Sequence, residues 1–262
     1  MLIDFHIHMF PDALAEKAIA RLAAASGLAP ETDGTKDFTL QKLREWEVDR
    51  AVVLNIATNP RQQTNVNNFA ISCNHDPLIP FGSVHFESEC ALEELERIKG
   101  AGLRGVKLHP DYQGFEIDER RLYPIYERIA ELGLVCVFHT GFDAISPDHI
   151  HATPQKIARV LRDLPQLTMV CAHMGSMERW DEVEQYLCGK RVYFDTAFTA
   201  GYLSPAQAER IISRHGAQNI LFGSDCPWQA SSATYRFIDS LHISSVQKDM
   251  IFYQNAQRLL GL

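Results

Sequence analysis

Short apolar runs alternate with longer amphipathic stretches along the 262-residue chain. Eight of the runs predict strands: LIDFHIH (2–8), AVVLNI (51–56), LIPFGSV (78–84), LRGVKLH (103–109), LVCVFH (134–139), LTMVCAH (167–173), RVYFDT (191–196) and NILFGSD (219–225). Most are too apolar to leave one face in water, the pattern of parallel strands covered by helices. Between them lie helical stretches such as DALAEKAIARLAAA, ALEELERIK, ERRLYPIYERIAEL, TPQKIARVLRDL, SMERWDEVEQYL, SPAQAERIISRH and SSATYRFIDSL. Several open on a predicted cap, sometimes followed by proline: Thr153-Pro154, Ser176 and Ser204-Pro205. The chain ends in SSVQKDMIFYQNAQRLLGL, a further helical stretch that Asn255 interrupts.

Eight strands alternating with helices predict an α/β fold, a single (β/α)8 barrel over residues 1–262. Its only long excursion is residues 9–50, where a helix, a polar stretch and a second helix separate the first two strands; an extra helix closes the chain. The alternative is a doubly wound open sheet, disfavoured because no G-x-G-x-x-G follows the first strand. A composition of 46% hydrophobic and 22% charged residues fits a large buried core. Net charge of -8 gives no basic footprint for nucleic acid. No window approaches the ~20 apolar residues of a membrane span, so no membrane partner is expected. The start lacks a basic flank followed by an apolar run, and the six cysteines form no C-x-x-C pair. Together these predict reduced thiols in a cytoplasmic protein.

The chemistry gathers at the strand ends. In such a barrel, functional groups sit where the strands finish. His6 and His8 end the first strand, His109 the fourth, His139 the fifth and His173 the sixth; Asp195 ends the seventh and Asp225 follows the eighth. Residues i and i+2 of a strand share a face, so His6 and His8 are expected side by side with Ile7 turned outward. His6, His8, His139 and Asp225 offer three imidazoles and one carboxylate to a divalent metal, a set that suits zinc and also manganese or iron. Beside metal-bound water, Asp225 is a candidate ligand and base together.

DFHIH, GVKLHP, FHTG, CAHMG, FDTA, FGSDCPW and the terminal NAQRLL resemble, in order and spacing, the amidohydrolase superfamily over residues 3–260. The nearest likeness is to its amidohydrolase-related branch, which includes aminocarboxymuconate-semialdehyde decarboxylase and related aromatic-acid decarboxylases. The resemblance implies metal ligation by His6, His8, His139 and Asp225. For His173 it implies an acid–base role or ligation of a second metal, so Asp225 and His173 are the catalytic candidates. Lys107 has several readings: carboxylated and bridging two metals, binding a substrate carboxylate, or paired with Glu116 or Asp195. His109, on the face of Lys107, is either a substrate contact or structural. His85 is expected to cap the third strand rather than line the mouth, His149 and His151 to be solvated on a rim loop, Asp195 to orient other groups, and Trp228 to cover core or wall the pocket.

The expected cofactor is one divalent ion, zinc first, or two if Lys107 is carboxylated. The expected partner is a small-molecule substrate, with a homodimer in view. The leading expectation is a hydrolase in which metal-activated water attacks an amide, ester or lactone carbonyl. The alternative is a non-oxidative decarboxylase of an unsaturated or aromatic acid; the decarboxylases resemble longer chains with larger insertions, which tilts the expectation toward hydrolysis. A TatD-like nuclease stands third, because Lys107 occupies the place of an acidic ligand and the acidic chain gives phosphate no attraction. A ligand-binding barrel without catalysis is expected to have lost ligands, and all four are present.

Overall fold

In the computed structural model, which describes residues 1–262, each of the eight apolar runs forms a strand, the second starting one residue before its run: β1 (Ile3–Ile7), β2 (Arg50–Leu54), β3 (Leu78–Phe81), β4 (Gly105–Leu108), β5 (Val135–Phe138), β6 (Met169–Cys171), β7 (Tyr193–Asp195) and β8 (Ile220–Leu221). Every pairing is parallel, in two ladders ordered β1-β2-β3 and β4-β5-β6-β7-β8. Hydrogen bonds join the ladders at both seams. Between β3 and β4, the Gly82 amide donates to Gly105 O at 2.9 Å and the Lys107 amide to Gly82 O at 2.8 Å. Between β8 and β1, the Phe5 amide donates to Phe222 O at 2.7 Å and the Asp225 amide to His6 O at 2.8 Å. The result is an α/β barrel.

The barrel interior is a separate apolar cluster. Ile3, Phe5, Val52, Leu54, Val135 and Val137 meet there with other inward side chains, and Ala256 and Leu260 of the C-terminal helix join them. Outward strand residues such as Ile7, Val53, Leu108 and Phe138 pack in the larger cluster beneath the helices. β1 changes face part-way: Ile3 and Phe5 are inward, yet Ile7 lies in the outer cluster. The ladder register slips between Asp4 and Ile7. Such an irregularity re-aims the following side chains, so His6 and His8 face the axis above the apolar floor.

Helices Asp12–Ser26 and Lys36–Glu45 fill the excursion after β1. Two helices absent from the sequence reading are present, Gln63–Ser72 and the short Pro110–Gln113. Thr153 and Ser204 cap their helices, accepting from the amides of Lys156 and Gln207. Ser176 does not: its helix begins only at Trp180, and the buried Ser176 hydroxyl has no partner. Backbone conformation explains the delay, because His173, Met174 and Glu178 all take positive φ and break a continuous helix. The C-terminal helix is interrupted by a π-turn over Met250–Gln254. Asn255 follows it and donates to Ala217 O and Ile220 O at 2.7 and 2.6 Å, locking the helix to the barrel.

Candidate metal centre

At the carboxyl ends of the strands, His6 Nε2 and His8 Nε2 lie 3.2 Å apart. Asp225 Oδ1 stands 3.2 Å from the first and 3.1 Å from the second. The opposite ring nitrogens decide what this closeness means. His8 Nδ1 donates to Leu54 O at 2.8 Å, the only role a carbonyl allows. His6 Nδ1 meets Asp195 Oδ2 at 2.9 Å, while Asp195 Oδ1 accepts from the amides of His173 and Ala197. With both Nδ1 atoms protonated, two Nε2 lone pairs and a carboxylate oxygen converge on one point. Burial holds the His6 ring well below the ordinary imidazole range, with Lys107 adding to the effect, so the ring stays neutral. Three acceptors facing one another fit a cation, and the carboxylate behind His6 is the usual support for a metal-binding histidine.

Local backbone makes the convergence possible. Gly223 faces His6, and a Cβ there would meet His6 Cβ at 2.9 Å. Asp225 and His173 hold φ of 72° and 59°. Such values are uncommon outside glycine and concentrate at functional sites.

The other expected residues line the same cavity without all joining the trio. His139 lies beside it: its Nδ1 is 3.0 Å from His173 Nε2, and His173 Nδ1 donates to Ala197 O at 2.9 Å. Lys107 is 1% exposed, and its ammonium makes no hydrogen bond or ion pair. Burial drives its ammonium down to about 8, against the pull of Asp195 and Asp225. Glu116, a proposed partner of Lys107, is instead held by Lys156 and His149 on the rim. His109 lines the cavity and caps the helix Pro110–Gln113, its Nδ1 accepting from the Tyr112 amide. His85 lies outside the cavity, accepting from the Glu87 amide at the end of the third strand. His149 is exposed, whereas His151 is partly buried and meets Asp111 Oδ1 at 3.1 Å. Trp228 walls the cavity.

The sequence reading missed Asp111, Asp143 and Arg21, all in the cavity lining. Asp111 and Asp143 follow strand-end histidines within a few residues, in DYQGF and GFDA; that proximity was the only available signal. The cavity holds about 660 Å³. Its walls are aromatic and aliphatic, among them Phe10, Phe69, Phe142, Phe198, Tyr202 and Trp228. Arg21 stands at its mouth on the helix Asp12–Ser26, without an ion-pair partner. No helix is long and apolar enough to cross a membrane.

The amidohydrolase family model matches residues 3–262. The chain belongs to the amidohydrolase family. Solved structures agree on the fold. A TIM-barrel protein, Bb4693 from Bordetella bronchiseptica, superposes with a TM-score of 0.77 at 22% identity, covering 99% of this chain and 98% of that one. The 5-carboxyvanillate decarboxylase LigW from Sphingomonas paucimobilis gives 0.73 at 17% identity, covering 100% and 99%. A second 5-carboxyvanillate decarboxylase, LigW2 from Novosphingobium aromaticivorans with bound manganese and 3-methoxy-4-hydroxy-5-nitrobenzoic acid, gives 0.74 at 15% identity, covering 100% and 97%. No curated protein matches the sequence. This family member is therefore an amidohydrolase-superfamily enzyme with a candidate His/Asp metal site.

Proposed function

We propose that the protein is a metal-dependent, non-oxidative decarboxylase of a planar unsaturated or aromatic carboxylic acid. The observation that carries this reading is the junction of two surfaces in one cavity. Its floor bears the His6–His8–Asp225 trio and Lys107, and its walls are broad, apolar and aromatic. Such walls take up a flat ring, and the floor takes up its acidic end. The decarboxylase activities of two structural neighbours, one with bound manganese, add support.

His6, His8 and Asp225 would hold the ion, zinc or manganese by donor type, with His139 and His173 on the adjoining wall. When bound, a divalent ion orients the acid and stabilises negative charge that develops on it. Lys107, free of any protein partner, offers its ammonium to a substrate carboxylate. Asp225 commits Oδ1 to the two histidines and makes no hydrogen bond through its other oxygen, which is therefore free to take a proton from water and relay it. As the bond between ring carbon and carboxylate breaks, the electron pair stays on carbon and takes that proton, and carbon dioxide leaves. The apolar walls limit the water around the charge-bearing carbon.

Hydrolysis of an amide, ester or lactone is the second reading, favoured by the same free oxygen of Asp225, which can accept a proton from water. One experiment separates the two. A panel of hydroxylated benzoic acids, unsaturated diacids, lactones and amides is incubated with manganese-loaded protein in deuterated water. Decarboxylation gives carbon dioxide and one deuterium at the vacated carbon. Turnover of lactones or amides alone, with no carbon dioxide from any acid, rejects the proposal.

A further inference from the structure

The cavity is larger than a single-ring acid requires. Its volume of about 660 Å³ lies within the roughly 300 to 1,000 Å³ of pockets that enclose drug-sized ligands. A ring resting on the floor fills only part of it. The outer part is walled by two helices, Asp12–Ser26 and Gln63–Ser72. Each uses one face to hold the barrel and another to line the cavity. On the first helix Ala15 and Ile19 are buried. Leu14, Ala18, Leu22 and Ala25, spaced four, four and three residues apart, form a neighbouring stripe that lines the cavity. At 1.5 Å per residue the stripe extends over about 16 Å. On the second helix Gln63, Asn67 and Ala70 are buried, whereas Val66 and Phe69 line the cavity.

The stripe is not needed to hold its helix, and the fold leaves it uncovered. Leu14 is 56% exposed, Ala18 and Leu22 are half-buried and Ala25 is exposed. Of the eight large hydrophobic side chains exposed in the whole chain, three (Leu14, Ile145 and Tyr202) line this one cavity. Apolar surface left in water and gathered in one place marks a binding groove. Arg21 interrupts the stripe as an exposed side chain, whose aliphatic stem can cover apolar surface while its guanidinium stays in water. Continuity fixes the occupant. The groove and the His6–His8–Asp225 floor belong to one cavity, so a molecule held on the floor by its acidic end projects into the groove.

We propose that this groove is a subsite for a long apolar substituent, so that the substrate is an unsaturated or aromatic acid carrying an alkyl chain rather than a bare ring. The inference rests on the decarboxylase reading for the acid at the floor and adds the chemistry of the other end. Leu14, Ala18 and Leu22 on one side and Val66 and Phe69 on the other take up the chain. Selectivity then comes from chain length, because each methylene removed from water adds a similar increment of binding.

The test is a chain-length series. Manganese-loaded wild type is titrated calorimetrically with hydroxybenzoic acids that carry, opposite the carboxylate, either hydrogen or a straight chain from methyl to octyl. Carbon dioxide release is measured on the same acids. The expected result is affinity rising roughly fourfold for each methylene buried, a readout that needs no variant. In Ala18→Phe, which fills the groove, and Leu22→Asp, which makes it polar, the gain along the series should be lost in samples shown to be folded by circular dichroism. Affinity independent of chain length in wild type overturns the subsite, and the decarboxylase reading stands without it if the bare acids still release carbon dioxide. A gain kept undiminished in both variants overturns it as well. A gain in binding lost in the variants, with no carbon dioxide from any acid, supports the subsite and rejects decarboxylation. Light scattering covers the other occupant: a wild-type dimer that Leu22→Asp dissociates, with no gain along the series, assigns the stripe to a second copy and overturns the proposal.

Discussion

His6 Nδ1 and Asp195 Oδ2, 189 residues apart in the chain, meet at 2.9 Å with both side chains buried. This contact fixes which nitrogen of His6 carries the proton and therefore which one faces His8 and Asp225. Replacing Asp195 with Asn keeps the shape but lets the ring lose its tautomer. The expected outcome is metal affinity lower by about 10- to 100-fold, the usual effect of removing such a support. Equilibrium dialysis of Asp195→Asn beside wild type measures it; unchanged affinity would mean that Asp195 serves only the backbone amides it accepts from.

Gly223 makes a second prediction. A methyl group there presses on His6 Cβ at 2.9 Å and reaches Asp195 Cβ at 3.5 Å. Neither neighbour is the free end of a flexible chain. Gly223→Ala should cost about 1 to 3 kcal/mol of stability by overpacking and weaken metal binding beyond what the melting shift alone predicts. Calorimetry and metal titration on one sample test both parts.

Lys107 is the one buried cation on the cavity floor, and no protein group pairs with it. Lys107→Met preserves most of its volume and removes the charge. If the ammonium holds a substrate carboxylate, KM rises by at least tenfold while the protein melts no lower than wild type. A carboxylated Lys107 bridging two ions would instead lose bound metal in the same variant, so KM and metal content together choose between the readings.

Far from the site, His215 is buried against Phe194 and reaches Val192 O at 2.9 Å. Burial pulls this ring down to about 4, below its ordinary 6.5. A depressed folded value means stability that is present above pH 6.5 and lost as pH falls through about 4, because the unfolded chain takes up the proton first. The contribution is on the order of a few kcal/mol. Denaturant unfolding of wild type and His215→Gln at several values between pH 4 and 7 should show a steeper slope in wild type; parallel slopes would contradict the assignment.

The eight staves were legible because parallel strands buried on both faces are written as apolar runs, and nothing else in the chain imitates them. Strand-end histidines were legible for the same reason: a histidine closing an apolar run has a fixed address in a barrel. The runs are longer than the strands that form in them. His109, His139, His173 and Asp225 leave the ladder, two of them at positive φ, so that their side chains reach the cavity. The helix Gln63–Ser72 was illegible because its buried face is polar: Asn67 donates to Ser83 O and Glu94 there. Asp111 and Asp143 lie in loops whose folding depends on contacts between distant segments, such as His151 with Asp111. The register slip in β1 is likewise invisible in sequence, although the inward aim of His6 and His8 depends on it.

Carbon dioxide release from an accepted aromatic acid, measured before and after metal removal, tests the central claim most directly. Chelated protein should lose activity and regain it on adding manganese or zinc, while His6→Ala/His8→Ala should stay folded and inactive with metal present. Chelated, verified metal-free protein that releases carbon dioxide at the full wild-type rate would contradict the account.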